Sequence, residues 1–506
     1  MSNRIPLVCW PLIATVVVQS HVLFNVFVFD DFVYLYAVSN LPLLDAVSVP
    51  WGGRLLHSFT TVVWMVKFLF GPDPFAFLLL GLLVHLASVG LLFEIVLCLT
   101  GRAAVAAFGA TLWGINPFIA GTLGWVSAHG QAYATVAVLW VLFDIVRCSQ
   151  RPMLMGNALL VRHAVLLLVA ATSFGVGLTS TVILPLLVGL YNPLPAERFR
   201  LLVVYGGVAM MAVALYLVTM KLQGDAQDNL GDKVDIVRRA AGNIVPISRA
   251  FFELLAIGSS GLLWGPLIVG NVAVVPKESL PFVASLAAVF VILPLLIWGC
   301  WVSEPFERRR IFALLLLPCA GYGLIAIARP SGYFLLTDAP RYQYLAPAIM
   351  AIVYCLVLVK LLDHLPARVV SFGRIPYFLW LAVVIVPCAM GPVPAINESA
   401  TQWQTPQGQK NQLMQSSHVL EEALENASGR GDIFIRNRTF IVSVAGYTPK
   451  EFPGLAGLFV ILYPSNSIDG RRVFFLEDSK ELVQMAHAQS GSRISDLLIY
   501  KPKEKE

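Results

Sequence analysis

The sequence predicts an α-helical protein that crosses a membrane about eleven times and ends in a small soluble α/β domain. Of its 506 residues, 58% are hydrophobic and only 13% are charged, whereas soluble proteins carry about 25% charged residues. Apolar runs of bilayer length recur from Pro6 to Met390, and the composition becomes polar after Gly391. We therefore expect a membrane domain over residues 1–391 and an extracytoplasmic domain over residues 392–506.

The transmembrane segments are expected where apolar runs approach the length of about 20 residues that spans a bilayer. In chain order these runs are Pro6–Phe29, Phe75–Cys98, Ala103–Ala120, Trp125–Val146, Ala164–Phe174, Thr181–Leu190, Leu201–Met220, Leu280–Cys300, Ile311–Ala328, Leu345–Leu362 and Tyr377–Met390. The fifth and sixth runs are short, and one broken hairpin near Gly175, Gly177 and Pro185 is an alternative. The first run is too long for a cleavable signal peptide, so we expect it to remain as a span.

Two further stretches carry charges within an apolar helical pattern. Arg54–Phe70 contains Arg54 and Lys67, and Phe251–Leu267 contains Glu253. This pattern is typical of helices that lie in the membrane interface rather than cross the bilayer.

The orientation in the membrane follows from the basic residues of the short loops, which favour the cytoplasm. Those residues are Arg4, Arg102, Arg147, Arg151, Arg162, Arg198, Arg200, Arg308, Arg309, Arg310, Arg368 and Arg374. The opposite side then holds the loop with Asp30 and Asp31, the long loop from Lys221 to about Ser279, and the tail. Long, half-apolar loops of this kind usually have a function.

The tail has the pattern of a small α/β domain. Helices are predicted over Gln402–Asn426 and Ser479–Ala488, and strands over Asp432–Ile435, Thr439–Val444, Leu458–Leu462 and Arg472–Phe475. A unit of about a hundred residues is large enough to bury a core of its own.

Composition and motifs exclude several classes of protein. The net charge of +5 is too mild to indicate nucleic-acid binding. The seven cysteines lie in or beside apolar runs, so neither a disulfide scaffold in the tail nor a zinc cluster is predicted. The glycines of Gly175-Val-Gly177 and Gly321-Tyr-Gly323 lie inside apolar runs and are interpreted as helix-packing residues, so no nucleotide cofactor is expected.

An acidic pair, Asp30-Asp31, follows the first span and is flanked by Phe29 and Phe32. A carboxylate at the membrane surface can accept a proton from a hydroxyl or hold a cation. Two adjacent carboxylates make an incomplete metal site, so a divalent metal is compatible with the pair but not indicated by it. The simpler interpretation is that the two aspartates end the helix and keep the loop in water.

Cations and polar aromatic residues are expected on the same outer face as the acidic pair. They are Arg54, His129, Lys221, Arg238, Arg239, Arg341, Tyr342 and Tyr344. Arginine is suited to phosphate because its guanidinium is always charged and binds two oxygens at once. The alternative is that these cations pair with lipid headgroups. His85 lies within a span, where a lone histidine more often packs than relays protons.

Several short motifs occur in an order that resembles one family of membrane enzymes. They are Asp30-Asp31, Gly53-Arg54, Phe70-Gly-Pro-Asp-Pro-Phe75, Leu82-Leu-Val-His85, Asn116-Pro117, Trp125-Val-Ser127 and Arg341-Tyr342-Gln343-Tyr344-Leu345. The order resembles that of the GT-C superfamily of polytopic glycosyltransferases, and most closely the protein O-mannosyltransferases and related bacterial transferases. The resemblance covers residues 30–362 and does not extend to the tail.

The resemblance implies a transfer reaction on the outer face of the membrane. The donor would be a polyprenyl-phosphate-linked sugar, and the acceptor a hydroxyl of a glycan, lipid or protein. Asp30 would act as the base with Asp31 in support. The lipid phosphate would be bound by some of Arg54, Lys221, Arg238, Arg239 and Arg341, and the substrates would be contacted by His85, His129, Gln131, Tyr342 and Tyr344. The expected location is the bacterial cytoplasmic membrane.

The chain departs from the family pattern at two places. Relatives often carry Lys-Glu where this chain has Thr179-Ser180, and they often carry Arg and Asp where it has His129 and Gln131. Two alternatives therefore stay open beside a transferase. One is a flippase or transporter of lipid-linked sugars, and the other is a catalytically silent relative that acts as a membrane scaffold.

Overall fold

The structure is a computed structural model that describes residues 5–27, 30–40, 42–48, 55–150, 155–191, 195–224, 244–268, 280–328, 342–364, 433–436, 467–468 and 471–476. Its helices are α1 Ile5–Gln19, α2 Asp30–Asn40, α3 Leu43–Ser48, α4 His57–Phe70, α5 Pro74–Thr100, α6 Ala103–Gly114, α7 Ala120–Leu123, α8 His129–Ser149, α9 Asn157–Ala171, α10 Gly175–Tyr191, α11 Pro195–Gly224, α12 Ile244–Ile268, α13 Leu280–Ala287, α14 Leu293–Val302, α15 Pro305–Ala328 and α16 Leu345–His364. Short 3-10 turns cover Ser20–Phe24, Pro117–Ile119 and Val126–Ala128, and a π-turn, Ala288–Ile292, joins α13 to α14.

Seven stretches in the described part of the chain are long and apolar enough to cross a membrane. They are Pro74–Thr100, Val126–Ser149, Glu197–Thr219, Ile244–Leu262, Ala284–Val302, Pro305–Ile327 and Leu345–His364. Four shorter apolar helices are Val8–Phe24, Ala103–Gly114, Asn157–Ala171 and Gly175–Tyr191. Apart from Ile244–Leu262, each coincides with an expected span, and the protein is a polytopic membrane protein. The eleventh expected span, Tyr377–Met390, lies outside the described residues.

The stretch Phe251–Leu267, which the sequence predicts as an interface helix, is helical in the structure. The stretch belongs to α12, which is one of the helices long and apolar enough to span a membrane. Its acidic residue Glu253 pairs with Arg249 at 2.7 Å, one turn earlier on the same helix. This ion pair offsets both charges within α12, and the interface position of the stretch stays a prediction.

The short fifth and sixth runs form two helices, α9 and α10, joined at residues 172–174. Pro185 lies inside α10 without ending it. Gly177 lets the two helices approach closely, because a Cβ there would clash with the backbone carbonyl of Ala170 and lie 2.9 Å from Ala134 Cβ. The interpretation of Gly177 as a packing residue is confirmed, whereas Gly323 has open space around it.

A set of basic residues is bonded at one end of the helix bundle. Arg102, which precedes α6, pairs with Asp363 near the end of α16. Arg310 in the first turns of α15 lies 3.5 Å from Ser149 at the end of α8. These bonds bring together residues predicted to face the cytoplasm, and the side of the membrane on which they lie stays a prediction.

A second polar cluster lies within the bundle towards that end. Asp144 of α8 accepts hydrogen bonds from Arg162 at 2.5 Å and from His163 at 3.0 Å, both on α9. His163 also lies 2.6 Å from the hydroxyl of Tyr205 on α11. A buried carboxylate must be paired to be tolerated, so this cluster joins three helices.

Three short strands are described in the tail: β1 Ile433–Arg436, β2 Ser467–Ile468 and β3 Arg471–Leu476. β3 lies in the middle, parallel to β1 and antiparallel to β2. β1 and β3 match two predicted strands. The other predicted strands, Thr439–Val444 and Leu458–Leu462, and the predicted helices Gln402–Asn426 and Ser479–Ala488, lie outside the described residues.

Candidate functional site

The acidic pair begins a helix in the structure and does not end one. α1 stops at Gln19, a 3-10 turn follows to Phe24, and Asp30 is the first residue of α2. Negative charge is favourable at this position because the N-terminus of a helix carries a partial positive charge. The side chain of Asp30 lies outside the described part of the chain.

Asp31 is buried and bonded to a distant part of the chain. Its side chain is 1% exposed, and Oδ1 accepts a hydrogen bond of 2.7 Å from the backbone N–H of Ser127. A carboxylate removed from water requires such a donor. The bond attaches the start of α2 to the turn that opens α8.

A second bond reaches the same turn from the end of the first apolar helix. The side-chain amide of Asn25 donates to the backbone oxygen of Gly124 at 3.0 Å. Gly124 makes this approach possible, because a Cβ there would lie 2.5 Å from Asn25 Nδ2. Asn25, which precedes the acidic pair, and Asp31, which belongs to it, therefore both bond to the turn of residues 124–127.

Aromatic rings continue from the acidic pair into the bundle. Tyr34 of α2 packs edge-on against Phe59 of α4, with ring centroids 4.9 Å apart. The ring centroid of Phe59 lies 6.4 Å from that of Tyr133 on α8, and the Tyr133 centroid lies 6.3 Å from that of His129. Tyr34, on the helix that begins with the acidic pair, and His129 thus belong to one set of packed rings.

His129 is buried, with one ring nitrogen bonded and the other not. Nε2 lies 2.9 Å from the backbone oxygen of Leu123, and since a carbonyl can only accept, Nε2 carries the proton. Nδ1 has no hydrogen-bond partner among the described residues. The ring packs on Gly81 of α5, where a Cβ would lie 2.6 Å from its Cε1.

Gln131 and Thr135 lie one turn apart on α8, and both are buried. Gln131 Nε2 and Thr135 Oγ1 have no partner within the part of the chain that the structure describes. Residues four apart lie on the same face of a helix. Gln131 therefore offers a buried hydrogen-bond donor that none of the described residues uses.

His85 is bonded on both ring nitrogens. Nδ1 lies 2.8 Å from the hydroxyl of Tyr344, and Nε2 lies 3.3 Å from the backbone oxygen of Gly114. Trp113 donates to the backbone oxygen of Tyr344 at 3.1 Å. His85 and Tyr344 thereby join α5, α6 and the start of α16. A substrate hydrogen bond to a ring nitrogen of His85 would require one of these bonds to break, whereas the Tyr344 hydroxyl can still accept one.

Three solved structures that are similar to this chain have low sequence identity and TM-scores below 0.5. The oligosaccharyltransferase of Archaeoglobus fulgidus, in complex with Zn and sulfate, matches at 12% identity and a TM-score of 0.46, over 85% of this chain and 59% of its own. ArnT from Cupriavidus metallidurans, bound to undecaprenyl phosphate, matches at 14% identity and a TM-score of 0.47, over 97% of this chain and 89% of its own. AglB from Archaeoglobus fulgidus, in complex with an inhibitory peptide and a dolichol-phosphate, matches at 13% identity and a TM-score of 0.42, over 80% of this chain and 58% of its own.

The chain spans only 59% of the length of the first oligosaccharyltransferase. No protein-family model and no curated protein matches it. With 12–14% identity and TM-scores below 0.5, its activity must be argued from its own residues.

Most of the predicted phosphate ligands lie outside the described residues. This holds for Arg54, Arg238, Arg239 and Arg341. Lys221 lies in the last turn of α11, but its side chain is likewise not described. The role of these five residues as phosphate ligands stays a prediction.

Residues 342–344, which follow Arg341, are described, and they include Gln343, which was not among the predicted site residues. Tyr342 is buried in a small cluster with Phe118 and Tyr322. Gln343 is bonded to the hydroxyl of Tyr322. The only signal for Gln343 in the sequence was its place inside the motif Arg341-Tyr342-Gln343-Tyr344.

Proposed function

We propose that the protein is a membrane glycosyltransferase that moves a sugar from a polyprenyl-phosphate donor to an acceptor hydroxyl on the outer face of the membrane. The observation that supports this best is the buried bond between Asp31 and the N–H of Ser127. A pair that served only to keep a loop in water would not bury one of its carboxylates. The bond instead gives the acidic pair a fixed position beside the motif Trp125-Val-Ser127.

In the proposed reaction Asp30 acts as the base. Its carboxylate accepts the proton of the acceptor hydroxyl, and the hydroxyl oxygen attacks the anomeric carbon of the donor sugar. The bond between that carbon and the phosphate oxygen breaks, and the lipid phosphate leaves with its electron pair. Attack opposite the leaving group inverts the configuration of the anomeric carbon. A positioned base of this kind contributes about 10²–10⁴-fold to the rate.

Asp31 has a supporting role in this proposal. Its bond to Ser127 fixes the first turn of α2, and the backbone of Asp30 belongs to that turn. A small displacement of a reacting group is costly to a rate that depends on orientation.

The leaving phosphate requires positive charge, which we assign to some of Arg54, Lys221, Arg238, Arg239 and Arg341. Charge that grows on the phosphate in the transition state is stabilised by donors already in place. The donor carries its own activated leaving group, which agrees with the lack of nucleotide-binding motifs in the sequence. The acceptor is a hydroxyl of a glycan, lipid or protein.

A second candidate, a silent scaffold, is favoured by the region that replaces Lys-Glu. Thr179 and Ser180 bond to the backbone oxygens of Gly175 and Val176, at 2.9 and 2.8 Å. Their hydroxyls are thus used within their own helix and do not replace a charged pair. A flippase of lipid-linked sugars is the other alternative.

Thin-layer analysis of radiolabelled polyprenyl-phosphate sugar, with the protein in liposomes, distinguishes the three. Turnover that is lost in Asp30→Asn supports the transferase, translocation without turnover supports the flippase, and neither supports the scaffold. Asp73→Asn is a matched control. Asp73 is exposed and its carboxylate accepts from the N–H of Phe75 at the start of α5, a capping role that Asn fills equally well.

A further inference from the structure

Three helices meet around the side chain of Gln343, just before α16 begins. The side chain is 1% exposed. Its Oε1 accepts a hydrogen bond from the hydroxyl of Tyr322 on α15. Its Nε2 has no partner among the residues that the structure describes.

The position of this amide is set by its neighbours. A Cβ on Gly258 of α12 would clash with the hydroxyl of Tyr322 and lie 2.7 Å from Gln343 Oε1. Close by, the hydroxyl of Tyr354 donates to the backbone oxygen of Ser259 at 2.6 Å, which holds α12 against α16. Only glycine at 258 leaves room for the bond between Tyr322 and Gln343.

The oxygen of the Gln343 amide is therefore hydrogen-bonded, whereas its nitrogen has no partner among the described residues. Turning the amide by 180° would exchange its oxygen and nitrogen, but one of them would still lack a partner. Buried polar groups are nearly always hydrogen-bonded, and an exception is a reason to look for a missing ligand. In the orientation of the structure the unused group is an N–H donor, which requires an oxygen acceptor.

The geometry points to a phosphate oxygen as that acceptor, and we propose that Gln343 donates a hydrogen bond to the phosphate of the polyprenyl donor. This rests on the proposed function. Gln343 follows Arg341 by two residues, and it precedes the first turn of α16, which contains no acidic residue. The N-terminus of a helix favours anions. Tyr322 and Gly258 are then positioning residues for the amide.

The test compares two lipids that differ only in the phosphate. Undecaprenyl phosphate and undecaprenol are titrated against detergent-solubilised full-length protein, and the dissociation constants are measured for wild type, Gln343→Leu, Gln343→Glu, Tyr322→Phe and Tyr354→Phe. Tyr354→Phe is the matched control, because it removes a buried hydroxyl that bonds to the Ser259 carbonyl of α12 rather than to Gln343. Thermal unfolding of each variant reports whether it is folded.

We expect Gln343→Leu to weaken binding of undecaprenyl phosphate by about tenfold to hundredfold, as for loss of one hydrogen bond to a charged group. Gln343→Glu weakens it at least as much, because a carboxylate repels the phosphate. Tyr322→Phe has a smaller effect, because the amide stays in place but loses its fixed orientation. Tyr354→Phe leaves the affinity for the phosphate lipid unchanged, and no variant changes the affinity for undecaprenol.

Two results would overturn the inference alone. If both Gln343 variants bind undecaprenyl phosphate like wild type, the amide is satisfied by water. If Gln343→Leu weakens both lipids equally, it acts through packing. A wild type that binds the two lipids equally would instead contradict the proposed donor class, and the inference would fall with it. Should Gln343→Leu not fold, Gln343→Glu and Tyr322→Phe decide. Affinity for undecaprenyl phosphate equal to that of wild type in both variants would then overturn the inference.

Discussion

At the scale of single residues, Asp31 is the member of the acidic pair whose side chain the structure describes. Asp31 is buried and bonded, so Asp31→Ala leaves the N–H of Ser127 without a partner. We expect a loss of about 1–3 kcal/mol in the free energy of unfolding. Asp31→Asn keeps an acceptor for that N–H and loses less. Thermal unfolding of the two variants beside wild type measures the difference, and equal stability of Asp31→Ala and wild type would contradict the bond.

The proposed base is tested by the rate. Asn is nearly isosteric with Asp, so Asp30→Asn is expected to fold and to bind donor like wild type. Its initial rate at saturating donor should fall by about 10²–10⁴-fold, because the proton acceptor is gone. Asp31→Asn should lose less. Near-normal turnover in Asp30→Asn together with none in Asp31→Asn would exchange the two roles.

The phosphate ligands are tested by affinity. Arg54→Ala and Arg341→Ala should each weaken donor binding by roughly tenfold to hundredfold, which corresponds to a charge-assisted hydrogen bond of about 1.5–3 kcal/mol. Arg→Lys should restore only part of this, because a point charge replaces a two-pronged donor. If donor affinity is unchanged in both Ala variants, the arginines serve lipid headgroups.

The sequence identified Asp31 as a site residue but not its partner. Ser127 lies 96 positions away, and no local pattern encodes a contact over that distance. The bonds of Asn25 to Gly124 and of Gln343 to Tyr322 also join separate helical segments, and neither Asn25 nor Gln343 was predicted as a site residue. Which side chains keep an unmade hydrogen bond depends on three-dimensional packing, so it could not be read from residue types.

At the scale of helices, the length of the apolar runs was the reliable signal. It predicted α5, α8, α15 and α16 because each buries a long apolar stretch. At α12 the charge of Glu253 suggested an interface helix, and the helix is also long and apolar enough to span a membrane. The partner that offsets this charge, Arg249, lies just before the stretch that was considered. The first apolar run also placed the end of its span at Phe29, although the helical geometry changes at Ser20.

The contact between α9 and α10 gives a prediction at this scale. Gly177→Ala should lower the free energy of unfolding by about 1–3 kcal/mol, because the added Cβ clashes with the Ala170 carbonyl. Gly207→Ala on α11 is the control, since a Cβ there meets nothing within 4 Å. Unfolding in a denaturant series compares the two. Equal stability would mean that α9 and α10 can separate without cost.

At the scale of the whole molecule, the two ends of the bundle differ in chemistry. One end collects paired basic residues, among them Arg102 with Asp363 and Lys360 with Glu307. Asp31 and Asn25 lie where helices begin or end away from those pairs, on the turn before α8. The proposed function requires the second end to face outwards, because the acceptor is expected there.

Cysteine accessibility tests this orientation. On a background without the seven native cysteines, Arg151→Cys should react with a membrane-impermeant reagent only from the cytoplasmic side, and Ser416→Cys in the tail only from outside. Cys355 is best replaced by Ala, because it is buried against Gly109 and a smaller apolar side chain fits. The basic loops favour the cytoplasm because they are hard to translocate. Labelling of Ser416→Cys from the cytoplasmic side alone would reverse the orientation. It would also place Asp30 on the face where an outward-facing transferase has no acceptor.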